Sequence, residues 1–142
     1  PAGSLDLLWS EGAIPHLGWE SGLRLWRDLV RPGGFLALTE AVWLLEEPPA
    51  EAREGWASWY PAMGRPEDCV RTAQALGLEA VDTFILPRQD WRDYYRAVEI
   101  QCQRASGDPA LAEISAAMRA EGAFYERFGH SYGYAFFVLR KP

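Results

Sequence analysis

The sequence predicts an α/β fold, and three observations carry that prediction. Apolar runs of strand length alternate with segments whose apolar residues recur every three or four positions. The runs are almost continuously apolar, as in a sheet covered on both faces, and helix starts and stops fall between them. With 142 residues, 49% of them hydrophobic, the chain can bury most of its surface in one core, so a single domain is expected.

Taken in order, residues 5–9 read LDLLW, an apolar run with one polar break between Gly3-Ser4 and the turn-prone SEGA, which suits a buried strand. From Trp19 to Val30 the spacing Leu23, Trp26, Val30 predicts a helix, with Glu20 in its first turn and Arg31 at its end, matching the helix dipole. RPGG is expected to stop that helix, and FLALTEAVWLL to run on as a second strand. Residues 46–65 carry Pro48, Pro49, Gly55, Pro61 and Gly64 among Trp56, Trp59 and Tyr60, which suggests an irregular or partly helical segment lying over the domain's face. Pro66, at a first helical position followed by Glu67 and Asp68, opens another helix that buries Val70, Ala73 and Leu76 and stops at Gly77. LEAVDTFILP follows as a third strand.

Two helices come next with no strand between them. One runs over about 90–105 with Trp91, Tyr94, Val98, Cys102 and Ala105 on its inward face. The other opens with Asp108 as cap and Pro109 in the first turn, buries Leu111, Ile114, Met118 and Tyr125, and stops at Gly129. YGYAFFVLR closes the chain as a strand. Right-handed crossovers make the first three strands parallel, whereas pattern alone leaves the direction of the last one open.

Composition removes several function classes. A formal charge of −6 offers no clustered Lys and Arg surface to track phosphates, so nucleic acid is not an expected partner. No apolar run approaches the roughly 20 residues that span a bilayer, and nothing reads as a secretory signal, so a soluble, cytoplasmic protein is expected. Cys69 and Cys102 stand apart with no partner at metal-ligand spacing, as do His16 and His130, so no metal site is expected and both thiols read as reduced and structural.

The run LDLLWSEGAIPHLGWESGLRLWRDLVRPGGFLALTE resembles the fourth strand, following helix, Pro-Gly-Gly turn and fifth strand of the class I S-adenosylmethionine-dependent methyltransferases, in their UbiE-like (type 11) branch. CVRTAQALGLEAVDTFILP and YGYAFFVLRK are similar to that branch's fifth helix, sixth strand and antiparallel seventh strand. The resemblance implies the C-terminal half of a Rossmann-like sheet, with parallel strands corresponding to the fourth, fifth and sixth, and with residues 46–65 and 88–130 as substrate-side or lid segments. It also implies S-adenosylmethionine as cofactor and a small-molecule substrate. In the family a Gly-rich turn after the first strand cradles the cofactor; here no two glycines are separated by a single residue. The chain is therefore expected to be inactive alone, and either to self-associate or to pair with a missing N-terminal half through the open edge of its first strand.

Ligands of open parallel sheets sit beyond the carboxyl ends of the strands, which selects Ser10, Glu11, Gly12 and Ala13 after the first strand, and Thr39 and Glu40 at the end of the second. By the resemblance, Ser10 to Ala13 face the methionine part of the cofactor, where the Glu11 carboxylate offsets the sulfonium charge. The bland alternative for Glu11 is a solvated loop acid or a cap on the helix at Trp19. Glu40 interrupts an apolar strand, which places it either beside substrate or in an ion pair with an arginine such as Arg65. His16, Glu40, Trp59, Tyr60, Tyr94 and Tyr95 are the candidate substrate-pocket residues, against the ordinary reading of a surface histidine and core aromatics. Tyr95 stands off the inward face expected for its helix.

Overall fold

The structure is a computed structural model that describes residues 2–58 and 60–142. The chain divides into two compact units: residues up to Leu86 together with Ser131–Pro142, and Pro87–His130.

The first unit holds four strands, β1 (Leu5–Ser10), β2 (Val30–Trp43), β3 (Glu79–Ile85) and β4 (Tyr132–Arg140), in the order β1-β2-β4-β3. β1 and β2 pair in parallel, and β4 runs antiparallel to both of its neighbours, β2 and β3. The first three strands therefore share one direction, as right-handed crossovers require. The last strand, whose direction the pattern left open, is inserted between β2 and β3.

Helices α1 (Trp19–Arg27), α2 (Ala50–Ala57) and α3 (Pro66–Ala75) belong to this unit. α1 and α3 pack on one face of the sheet, where Trp19, Leu23, Cys69 and Ala73 meet Leu36, Leu38, Phe137 and Leu139. The Trp19 ring lies 4.8 Å from that of Phe137, and its indole N–H donates to the Cys69 carbonyl at 2.9 Å, so the ring is buried without orphaning its polar end. Burying each such large side chain stabilises the unit by roughly 1.5–3 kcal/mol. α3 starts and stops as its sequence predicts, and the Asp68 carboxylate closes its first turn by accepting the Arg65 N–H at 2.9 Å.

Two expectations for this unit need correction. RPGG does not stop α1, which already ends at Arg27; the four residues lie inside β2. The ammonium of Lys141 satisfies the carbonyls of Arg27 and Val30 at 2.9 and 2.8 Å, so the chain can leave the helix early. The glycines serve strand pairing instead: a Cβ on Gly34 would come within 2.8 Å of the Asp6 carbonyl oxygen, so β1 can approach β2 only where no side chain intervenes. The second correction concerns β1, which is an edge strand rather than a buried one. Leu5, Leu7 and Trp9 alternate along it at 38%, 48% and 61% exposure, because both packed helices lie on the opposite face of the sheet.

The second unit consists of α4 (Arg88–Arg104) and α5 (Ala112–Phe128), joined through a short 3-10 turn at Pro109–Leu111. The Asp108 carboxylate accepts the Ala110 N–H at 2.9 Å, as a cap should. Tyr125 is 1% exposed and stacks on Trp91 with ring centroids 5.0 Å apart. On α4 the expected inward face holds at Trp91, Val98, Cys102 and Ala105, but Tyr95 rather than Tyr94 turns toward α5, and Tyr94 stays half exposed. Gly122 makes room for the half-buried Tyr95 ring, and Glu121 accepts its phenol at 2.9 Å at the surface. Leu111 and Ile114, expected inside, are exposed. Cys69 and Cys102 are both free and buried. Among the described residues, no helix is long and apolar enough to cross a membrane.

Candidate functional site

β1 ends beside the body of β2, Ser10 in register with Leu38, while β2 runs on to Trp43, and the loop leaving β1 passes Thr39. Ser10 ends the strand, and Gly12 turns the chain at φ 66°, a left-handed conformation that a side chain would strain. The Gly12 N–H donates to Thr39 Oγ1 at 2.7 Å, so the buried hydroxyl of β2 ties down the loop of β1. The Tyr134 hydroxyl closes the same corner, 3.8 Å from where a Cβ on Gly12 would stand.

Glu11 is exposed, and its carboxylate accepts the indole N–H of Trp9 at 2.7 Å. Trp9 rests edge-on against Phe136, ring centroids 5.3 Å apart. Glu11 is thus not a helix cap; α1 is capped by Gly18, with no side-chain hydrogen bond. Ala13 is exposed and leads into a 3-10 turn at Ile14–His16, which buries Ile14 and leaves His16 at the surface.

Glu40 points the other way from Thr39, into the face that carries Leu38 and Val42, and is 1% exposed. Neither carboxyl oxygen has a hydrogen-bond partner among the described residues. Burial pushes its pKa up to about 7, although the nearby Tyr60 phenol and Ala41 amide favour the charged form somewhat. The ion pair with Arg65 does not form; that guanidinium turns to Glu67 at 3.4 Å. Burial, and then the Glu40 charge, raises the Tyr60 phenol and the Cys69 thiol above their ordinary values as well. The three groups therefore make a buried acidic cluster, without a cation facing it among the described residues.

Of the candidate substrate-pocket residues, the structure brings together Glu40 and Tyr60, beneath the surface. Tyr60 and Cys69 also border a cavity of about 300 Å³ that includes Trp19, Gly64 and Asp68 in its wall. His16 is separate and exposed. Tyr94 and Tyr95 sit on α4 in the other unit, where Tyr94 borders an apolar groove of about 370 Å³ with Val98, Cys102 and Ile114. Trp59 lies outside the described residues. Sequence reasoning missed Tyr134 and the Trp9 contact to Glu11. The alternating Tyr132, Tyr134 and Phe136 were visible, but their register against β2 was not.

The cofactor implied by the resemblance finds a partial fit in this corner. The exposed Glu11 carboxylate, held by Trp9, is chemically compatible with a cationic ligand, whereas the Gly12 N–H is already taken by Thr39. The chain holds no Gly-x-Gly turn that could form the opposite wall.

No family model matches the sequence, and no curated protein does. Solved structures do. An S-adenosylmethionine-dependent methyltransferase from Geobacter sulfurreducens, in complex with S-adenosyl-L-homocysteine, superposes with a TM-score of 0.81 at 21% identity, over 99% of this chain and 59% of its own. A second such enzyme, from Thiobacillus denitrificans and in the same complex, gives 0.74 at 18% identity, over 97% and 58%. The [4+2]-cyclase SpnF gives 0.70 at 22% identity, over 100% and 51%. This chain thus spans between about half and three fifths of the length of those proteins. The chain has the class I S-adenosylmethionine-dependent methyltransferase fold, in a part that holds four strands with an antiparallel one inserted.

Proposed function

We propose that this chain is the C-terminal part of an S-adenosylmethionine-dependent methyltransferase acting on a small molecule, and that it is inactive without a complementing part that carries the Gly-rich cofactor turn. The observation that carries this reading is the pinned corner where β1 ends beside Thr39 of β2, in a sheet of this fold: Glu11 oriented by Trp9, and Gly12 held by Thr39. In such a completed site Ser10, Glu11, Gly12 and Ala13 form the wall facing the methionine end of the cofactor. The Glu11 carboxylate offsets positive charge there, and the corner positions rather than reacts. One structural neighbour is a cyclase, so the fold alone does not choose methyl transfer.

Calorimetric titration of the chain with S-adenosylmethionine tests the reading. Binding is expected to be undetectable for the chain alone and to appear when the complementing part is added, then to weaken in Glu11→Gln. Micromolar binding by the chain alone would refute the division of the cofactor site.

A second reading, an interaction module without catalysis, is favoured by the edge of β1, where Leu5, Leu7 and Trp9 stand exposed. A free strand edge with apolar side chains recruits another chain. Sedimentation distinguishes the outcomes: a stable monomer counts against this module.

A further inference from the structure

The second unit carries positive charge that its own acids leave unanswered. Arg88, Arg92 and Arg96 follow one another at four-residue steps along α4, so their side chains line one helix face and repel each other. Arg92 has no acid three or four residues away, and the two spaced to meet Arg96 are engaged elsewhere. Asp93 accepts from the Gln89 amide at 2.8 Å. Glu99 accepts the Arg119 guanidinium at 2.8 and 3.3 Å and the Gln103 amide at 3.0 Å. Arg92 and Arg96 therefore make no hydrogen bond or ion pair among the described residues.

Both arginines border a groove of about 520 Å³ between α4 and α5, a size usual for small-molecule sites. The two helices run antiparallel, because Trp91 meets Tyr125, Tyr95 meets Glu121, and Glu99 meets Arg119. Arg92 thus stands level with Glu126 at one end of the groove, and Arg96 level with Gly122 and Ala123 in its middle, where α5 offers only short side chains. The Glu99–Arg119 pair stands at the other end. Glu126 is exposed and, like the two arginines, makes no hydrogen bond or ion pair among the described residues. Tyr95 lines the groove with its phenol already held by Glu121 at 2.9 Å, so that wall is set before any ligand arrives.

We propose that this groove binds a small zwitterion, a phosphate or phosphonate joined by a short chain to an amine, with the oxyanion on Arg92 and Arg96 and the ammonium on Glu126. Two guanidinium forks one turn apart offer more donors than the two oxygens of a carboxylate can take, whereas three oxygens accept from both. An anion there also relieves the repulsion between the arginines. A plain anion meets the Glu126 carboxylate as a like charge, and an amine on the same molecule turns that repulsion into a further ion pair. The groove lies wholly within the second unit, so the proposal does not rest on the methyl-transfer reading.

Titration of the full chain at low salt with 3-aminopropylphosphonate, and with propylphosphonate, which lacks only the amine, tests this by NMR of the backbone amides and arginine Nε–H groups. The amino compound is expected to bind about threefold more tightly than propylphosphonate, as one exposed ion pair allows, and to shift the Nε–H signals of Arg92 and Arg96. Arg96→Gln should weaken both probes about tenfold, and Glu126→Gln should bring the two affinities together. Both substituted side chains are exposed, so the variants are expected to keep the fold. Binding of neither probe overturns the proposal, as do equal affinities in the wild type or affinities that Arg96→Gln leaves unchanged. Should Arg96→Gln fail to fold, the wild-type signals decide: Arg92 and Arg96 Nε–H resonances unmoved at saturation overturn it.

Discussion

The Gly12 amide reaches across to the Thr39 hydroxyl, 2.7 Å away, so the loop that leaves β1 takes its shape from a side chain on β2. Thr39→Val keeps the shape and removes the acceptor, leaving a part-buried N–H without its partner. The variant should lose about 1–2 kcal/mol in urea unfolding and should speed exchange of the Gly12 amide, while Thr39→Ser restores most of both. Identical Gly12 exchange in the valine variant would mean that the loop holds its shape by other means.

Glu40 gives the stability of the first unit a characteristic pH profile. Its folded pKa, about 7, stands above the unfolded value of 4.5, so the folded state binds more protons between those values. Its contribution is fully present below about pH 4.5 and is lost as pH rises through about 7, a change of roughly 3 kcal/mol. Glu40→Gln should therefore be more stable than the wild type at pH 8 by up to that order and nearly equal to it at pH 4. Urea melts at the two pH values provide the comparison, and a constant difference between the proteins would contradict the assignment.

At Gly34 β1 passes close against β2. A methyl group there meets the Asp6 carbonyl oxygen at 2.8 Å and Val30 Cγ1 at 2.6 Å, and the backbone oxygen cannot rotate away. Gly34→Ala should destabilise the unit by about 1–3 kcal/mol, with the loss of protection concentrated in β1. Uniform loss across the sheet would argue against a local wedge.

In the second unit Tyr125 is the aromatic on which Trp91 and Tyr95 converge, with ring centroids 5.0 and 5.3 Å away. Tyr125→Ala should cost about 3–5 kcal/mol, enough to unfold a two-helix unit while the sheet unit stays folded. Near-ultraviolet circular dichroism together with amide exchange would separate the two units. Simultaneous loss of protection in β2 and β4 would show that they unfold as one.

Elements came through in the sequence better than neighbours did. Helix starts were legible at Pro66 and Asp108 because a fixed proline φ and a short acceptor side chain act within one turn. RPGG marked a real constraint but suggested the wrong one, since a close approach between two strands leaves the same glycines as a helix stop. The choice between Tyr94 and Tyr95 on α4 could not be read either. Adjacent aromatics fit a helical face nearly equally, and the space above Gly122 together with the Glu121 carboxylate decides between them.

By itself the sequence determined the α/β alternation, the shared direction of the first three strands, and the presence of an acid where an apolar residue belongs. All of these follow from local periodicity, chain handedness and residue chemistry. Only the tertiary structure decided that β4 inserts between β2 and β3, that Thr39 serves the loop while Glu40 lies under Tyr60, and that Arg65 turns away to Glu67. Strand order and side-chain pairing depend on contacts between residues far apart in the chain. Their energies are settled by which groups can be buried together with their polar atoms satisfied, and a linear pattern does not contain that information.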